Sequence, residues 1–145
     1  GPAGIAVTGY WVALTAVRVG LGIAGERTRP APAATAAVVA VAVFTGLLWW
    51  SPSPWVGPVA LVLLGASFGP IFPLQTFLTP ERVGSEATTA MVGYQMAAAS
   101  VGAIVIPGGL GPLVAEWGVG IVPPVLFAGA LALVAADAAA RRFSG

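Results

Sequence analysis

Long apolar stretches alternate along this chain with short runs of charge, proline and serine. A helix of roughly 20 apolar residues crosses a hydrocarbon core about 30 Å thick. Stretches of about that length occupy 4–24, 33–50, 55–78, 87–107 and 119–139. The pattern predicts an all-α membrane protein with five transmembrane helices in a single domain spanning 1–145. The second and third stretches contain no charged residue. Short connections follow from the same pattern: Glu26-Arg27-Thr28-Arg29-Pro30, Ser51-Pro52-Ser53-Pro54, Thr79-Pro80-Glu81-Arg82-Val83-Gly84-Ser85, and the glycine-rich run from Gly108 to Pro112 that leads to Glu116-Trp117-Gly118. Trp49, Trp50 and Trp55 flank the second connection, and tryptophan belongs at the headgroup level, so this reads as an interfacial turn.

Polar positions within the stretches divide the helices. The second has only Thr35 and Thr45, and the fifth only Asp137, spaced to pair with Arg141 one turn on. These two are expected at the periphery. The first sets Trp11, Thr15, Arg18, Gly22 and Gly25 on one face. The third concentrates Gly65, Ser67, Gly69, Pro70, Pro73, Gln75 and Thr76, and the fourth Tyr94, Gln95 and Ser100 among small residues. Small residues let helices approach closely and polar ones face protein or water, so these three are expected in the interior.

Composition supports the membrane reading and narrows the chemistry. Hydrophobic residues make up 58% of the chain and charged residues 8%, against about 25% charged in a soluble domain. The net charge of +1 leaves no nucleic-acid footprint. Cysteine, histidine and lysine are absent, which removes disulfides, the usual zinc ligands, the commonest general base and the Schiff-base nucleophile. Neither an enzyme, a metal site nor a cofactor is expected. Arginine without lysine, in an Ala-, Gly- and Val-rich chain, fits a GC-rich bacterial genome. The opening Gly-Pro-Ala-Gly has no basic run before it, so no signal peptide is read there, and the start is expected to lie within a longer protein.

Five of the six arginines fall at Arg27 and Arg29, at Arg82, and at Arg141 and Arg142. By the positive-inside rule these loops and the tail face the cytoplasm of a multi-pass cell-membrane protein, with residue 1 outside. Arg18 is the exception, lying within a predicted span. An arginine there costs roughly 2.5–3.5 kcal/mol on insertion scales. It is expected either to bond a neighbouring helix, to snorkel, or to gate a cavity with Glu26 and Arg27. Helices broken by glycine and proline mark transporter binding sites, which directs attention to the stretch from Gly65 to Pro73. Ser67, Phe72 and Gln75, with Tyr94 and Gln95 at the edge, are the substrate-binding candidates. No carboxylate lies near a helix centre, so no carboxylate proton relay is contained in these residues.

Three features resemble the major facilitator superfamily. Trp11-x3-Thr15-x2-Arg18-x3-Gly22-x3-Glu26-Arg27 is similar to its eighth helix running into the G-x-x-x-D/E-R loop motif, although Thr28-Arg29-Pro30 departs from the glycine and basic residues that complete that motif. Gly69-Pro70-Ile71-Phe72-Pro73 followed by Thr79-Pro80-Glu81-Arg82 resembles the tenth helix and its cytoplasmic exit in the fucose-permease-like sugar branch, and Gly93-Tyr94-Gln95 with the small-residue run to Pro107 and Gly111 resembles the eleventh helix. The resemblance implies that the five helices are numbers eight to twelve, part of the C-terminal six-helix bundle, with the N-terminal half of the same polypeptide as partner. It implies secondary transport of a small polar solute, such as a sugar, by alternating access with proton coupling. Two alternatives stay open: efflux of an amphiphilic drug within the same superfamily, and a non-transporting membrane scaffold or subunit.

Overall fold

The computed structural model describes residues 1–143, apart from the side chains of Pro2, Glu26 and Phe143. Five helices form among them: α1 (Pro2–Ala24), α2 (Pro30–Trp50), α3 (Val56–Val83), α4 (Ser85–Trp117) and α5 (Val122–Phe143). Single 3-10 turns, Gly25–Arg27 and Val119–Ile121, follow α1 and precede α5. All five are long and apolar enough to cross a membrane, as the hydropathy pattern predicts for a multi-pass protein.

The helix ends depart from expectation in α3 and α4. The predicted loop from Thr79 to Ser85 is helical except for Gly84, which alone joins α3 to α4. Gly84 has φ 79 and donates its N–H to the Pro80 carbonyl, closing α3 in a conformation that costs glycine no Cβ clash. The run from Gly108 to Pro112, predicted as a connection, lies inside α4, which reaches Trp117. Glycine costs a helix about 1 kcal/mol in water, whereas each unsatisfied backbone group in lipid costs several kcal/mol. Helix is therefore the cheaper state wherever such a stretch meets lipid. At about 1.5 Å per residue, α4 is about 50 Å long, well beyond one hydrocarbon thickness.

The centre of the bundle is α3, which packs against α1, α2 and α4, while α5 packs on α2. One core cluster joins Ala34 of α2 to Leu74 and Leu78 of α3; a second joins Val41, Leu64 and Ala130. Val38, Val41, Leu74 and Thr79 are among the most completely buried side chains. The contacts fix directions. Tyr10 and Leu14 of α1 meet Gly65 and Gly69 in the same order, so α1 and α3 run parallel. Thr35 meets Asp137 and Gly46 meets Phe127, so α2 and α5 are antiparallel. Ala34 lies on Leu74 and Val41 on Leu64, which sets α2 antiparallel to α3 as well. The three arginine sites consequently share one end of the bundle.

The division into interior and peripheral helices comes out differently. α2 contributes five buried residues and α4 none. Alanine and valine let α2 settle closely on α3. The hydroxyls of α4 do not demand burial, because Thr88 and Ser100 donate to the carbonyls of Gly84 and Met96 four residues back. Asp137 of α5, 6% exposed, accepts from Thr35 of α2 at 3.1 Å and pairs with Arg141 at 3.1 Å. The expected i,i+4 pair thus also ties α5 to α2.

Candidate functional site

Where α1 meets α3 the two backbones touch. A Cβ at Gly69 would lie 2.7 Å from the Leu14 carbonyl oxygen, and one at Gly65 would lie 2.9 Å from the Tyr10 Cα. The Gly65-x3-Gly69 spacing puts both on one face of α3, the small-x3-small arrangement that allows helices to close up in a membrane. On α1 the face that meets them carries Ala6, Tyr10, Leu14 and Val17. The face expected to turn inward, with Trp11, Thr15, Arg18 and Gly22, is exposed.

Arg18 reaches from that exposed face to α3. Its Nε donates to the Gly69 carbonyl at 3.0 Å. The reason lies four residues on: Pro73 has no N–H, so the Gly69 carbonyl has no helical donor. Arginine supplies the bond that proline removes. The interhelical bond expected for this residue is present. A guanidinium has five N–H donors, and Arg18 makes no other hydrogen bond or ion pair among the described residues.

A half-open cavity of about 800 Å³ lies along the second halves of α1 and α3 and runs from Arg18 to Gly25, Thr28 and Pro30 at the arginine-bearing end, which we call its mouth. Its walls include Arg18, Leu21, Phe72, Leu74, Phe77 and Glu81. Among largely apolar groups the wall carries the Arg18 cation, the Thr28 hydroxyl and the Glu81 carboxylate, with Arg18 and Glu81 at opposite ends along the helices. Pro73, Phe77 and Glu81 follow one another at helical spacing along α3, so a continuous helix through Pro80 is what brings Glu81 into the wall.

The sequence candidates are dispersed by the structure. Phe72 and Arg18 line the cavity. Ser67 is buried, and its hydroxyl donates to the Leu63 carbonyl of its own helix at 2.8 Å. Gln75 accepts from Arg82 Nη1 at 2.7 Å, two turns further along α3. Gln95 Nε2 donates to Thr79 Oγ1 at 3.0 Å, the polar bond that ties α4 to α3, while Gln95 Oε1 is buried without a partner among the described residues. Tyr94 points outward at 72% exposure. None of these four borders the cavity. Arg27 sits exposed in the 3-10 turn beside the mouth, and the Glu26 side chain lies outside the described set. Leu21, Thr28, Phe77 and Glu81 were not anticipated.

No protein-family model, curated protein or solved structure matches the chain.

Proposed function

We propose that these five helices belong to a secondary transporter of the major facilitator type, helices eight to twelve of its fold, which moves a small solute across the cell membrane by alternating access. One observation carries the reading: within the continuous helix α3, Pro73 leaves the Gly69 carbonyl without its helical donor, and Arg18 holds that carbonyl beside a cavity of about 800 Å³. Neighbouring helices re-satisfy the backbone groups that proline frees within a membrane helix, and Gly/Pro-interrupted apolar segments point to transporter binding sites. The common end of the arginines supports a cytoplasmic mouth for that cavity.

The nature of the walls bears on the cargo. A sugar needs several converging donors and acceptors, yet Ser67, Gln75 and Gln95 spend their hydrogen bonds within and between helices. Leu21, Phe72, Leu74 and Phe77 offer apolar surface instead. The amphiphile alternative is thereby favoured over the sugar.

The 145 residues contain no cysteine, which suits a labelling test in the full polypeptide. Phe72→Cys lines the cavity near the level of Arg18, and Thr28→Cys lines its end at the arginine-bearing side. In right-side-out and inside-out vesicles, an impermeant maleimide is expected to reach Thr28→Cys from one side only and Phe72→Cys from both. Reaction at Phe72→Cys from the Thr28 side alone would refute alternating access and favour the scaffold.

A further inference from the structure

We propose that the cavity between α1 and α3 binds a small amphiphilic monocarboxylate, its carboxylate on Arg18 and its apolar body between Leu21, Phe72 and Phe77. The inference rests on the transport reading and names the class of its cargo.

Arg18 is oriented before any ligand arrives. Its Nε is committed to the Gly69 carbonyl, which fixes the plane of the guanidinium and leaves the Nη groups with no partner among the described residues. A carboxylate can take two parallel N–H bonds from that edge, a geometry an ammonium group cannot offer. Cationic ligands are disfavoured at this end by charge.

The rest of the cavity limits what the carboxylate is attached to. Its walls beyond Arg18 are largely aliphatic and aromatic, and its volume of about 800 Å³ falls in the range that suits drug-sized molecules. Glu81 lies twelve residues, or about 18 Å, along α3 from Gly69. A second negative charge on the far end of a ligand would meet that carboxylate, so a monoanion is favoured over a dianion. A strongly polar body would lose its hydration against Phe72, Phe77 and Leu74 without recovering hydrogen bonds.

The test is equilibrium binding of radiolabelled 4-phenylbutyrate to the full polypeptide in lipid nanodiscs, with empty nanodiscs as background. Saturable binding is expected. The neutral twin 4-phenylbutan-1-ol should compete about 10- to 100-fold less well, the range for a charge-assisted hydrogen bond. Arg18→Gln should weaken binding by a similar factor, and Arg18→Lys by less.

Since Arg18 also supports α3, a second variant leaves it in place. Gly22 borders the cavity, and nothing lies within 4 Å of a Cβ built there, so Gly22→Leu fills the space without disturbing the Arg18–Gly69 bond. It should abolish binding. Palmitate as competitor separates the source: displacement by it assigns the carboxylate to membrane fatty acids, and displacement by phenylbutyrate alone assigns it to the water phase; both uphold the class. Absence of saturable binding, or binding unchanged in Arg18→Gln and Gly22→Leu, overturns the proposal. If Phe72→Cys still labels from both sides in that case, the carboxylate is wrong and transport stands. One-sided labelling with intact binding would mean the reverse.

Discussion

The α1–α3 seam and helix α4 draw on the same residue types and reach opposite states. In the seam, Gly65 and Gly69 lie against the backbone of Tyr10 and Leu14, and Ser67, on another face of the same stretch of α3, is buried. In α4, Gly93, Gly108, Gly109 and Gly111 open onto empty space, and Ser100 is exposed. Both serines donate to a carbonyl four residues back, so a hydroxyl in an apolar helix says nothing by itself about which way it faces. Small residues permit close approach without compelling it. The seam has two further things: a matching surface on α1, and a carbonyl freed by Pro73 that Arg18 can hold.

The strongest way to break this comparison is to add the same side chain to both places. Gly65→Leu drives a side chain into the Tyr10 backbone, which has little freedom to move. It should lower stability by about 3 kcal/mol, the upper end for overpacking. At Gly93 a Cβ would meet nothing within 4 Å, and Gly93→Leu replaces a poor helix former, so it should be neutral or stabilising within about 1 kcal/mol. Thermal unfolding midpoints in mild detergent would separate the two. Equal midpoints would mean that the seam is no tighter than α4.

A smaller effect isolates the polar tie. Arg18→Leu removes the donor to the Gly69 carbonyl and should cost about 1–2 kcal/mol. Pro73→Ala restores an N–H four residues after Gly69, so the carbonyl no longer depends on arginine. In that background the cost of Arg18→Leu should fall by about 1 kcal/mol, read as the coupling in a double-mutant cycle. Additive costs would show that Arg18 holds the helices by something other than that carbonyl.

The same contrast explains what could be read from the sequence. Five apolar runs give five helices, and the bounds of α1 and α2 lie within a few residues of expectation. Proline and glycine, which punctuate helices in water-soluble chains, do not end these helices: Thr79-Pro80 and the Gly108 to Pro112 run are helical. Reading them as ends concealed part of the cavity, because Glu81 joins Phe77 in the wall only if α3 continues past Leu78. The pairing of Gln75 with Arg82, two turns apart on one helix, was hidden for the same reason. Arg18 stood out because a charge within an apolar run is costly. Its partner did not, although the four-residue step from Gly69 to Pro73 is visible in the sequence. Polarity singles out Ser67, Gln75 and Gln95 in the sequence, but it cannot show whether a group's hydrogen bonds are already spent.

The smallest predicted effect concerns the polar tie between α4 and α3. Gln95 Nε2 donates to Thr79 Oγ1, and the Oε1 of the same amide is buried without a partner among the described residues. Gln95→Leu loses one hydrogen bond but also removes the unsatisfied oxygen, so the two contributions offset and stability should change by no more than about 0.5 kcal/mol. Thr79→Val breaks the same bond from the other side. It strands the Gln95 amide N–H, and removes the hydroxyl that donates to the Gln75 carbonyl, so it should cost about 1–2 kcal/mol. The order matters more than either value. If Gln95→Leu proves the more damaging in detergent unfolding, the amide is holding α4 in place, and α4 is joined to the bundle as specifically as the seam.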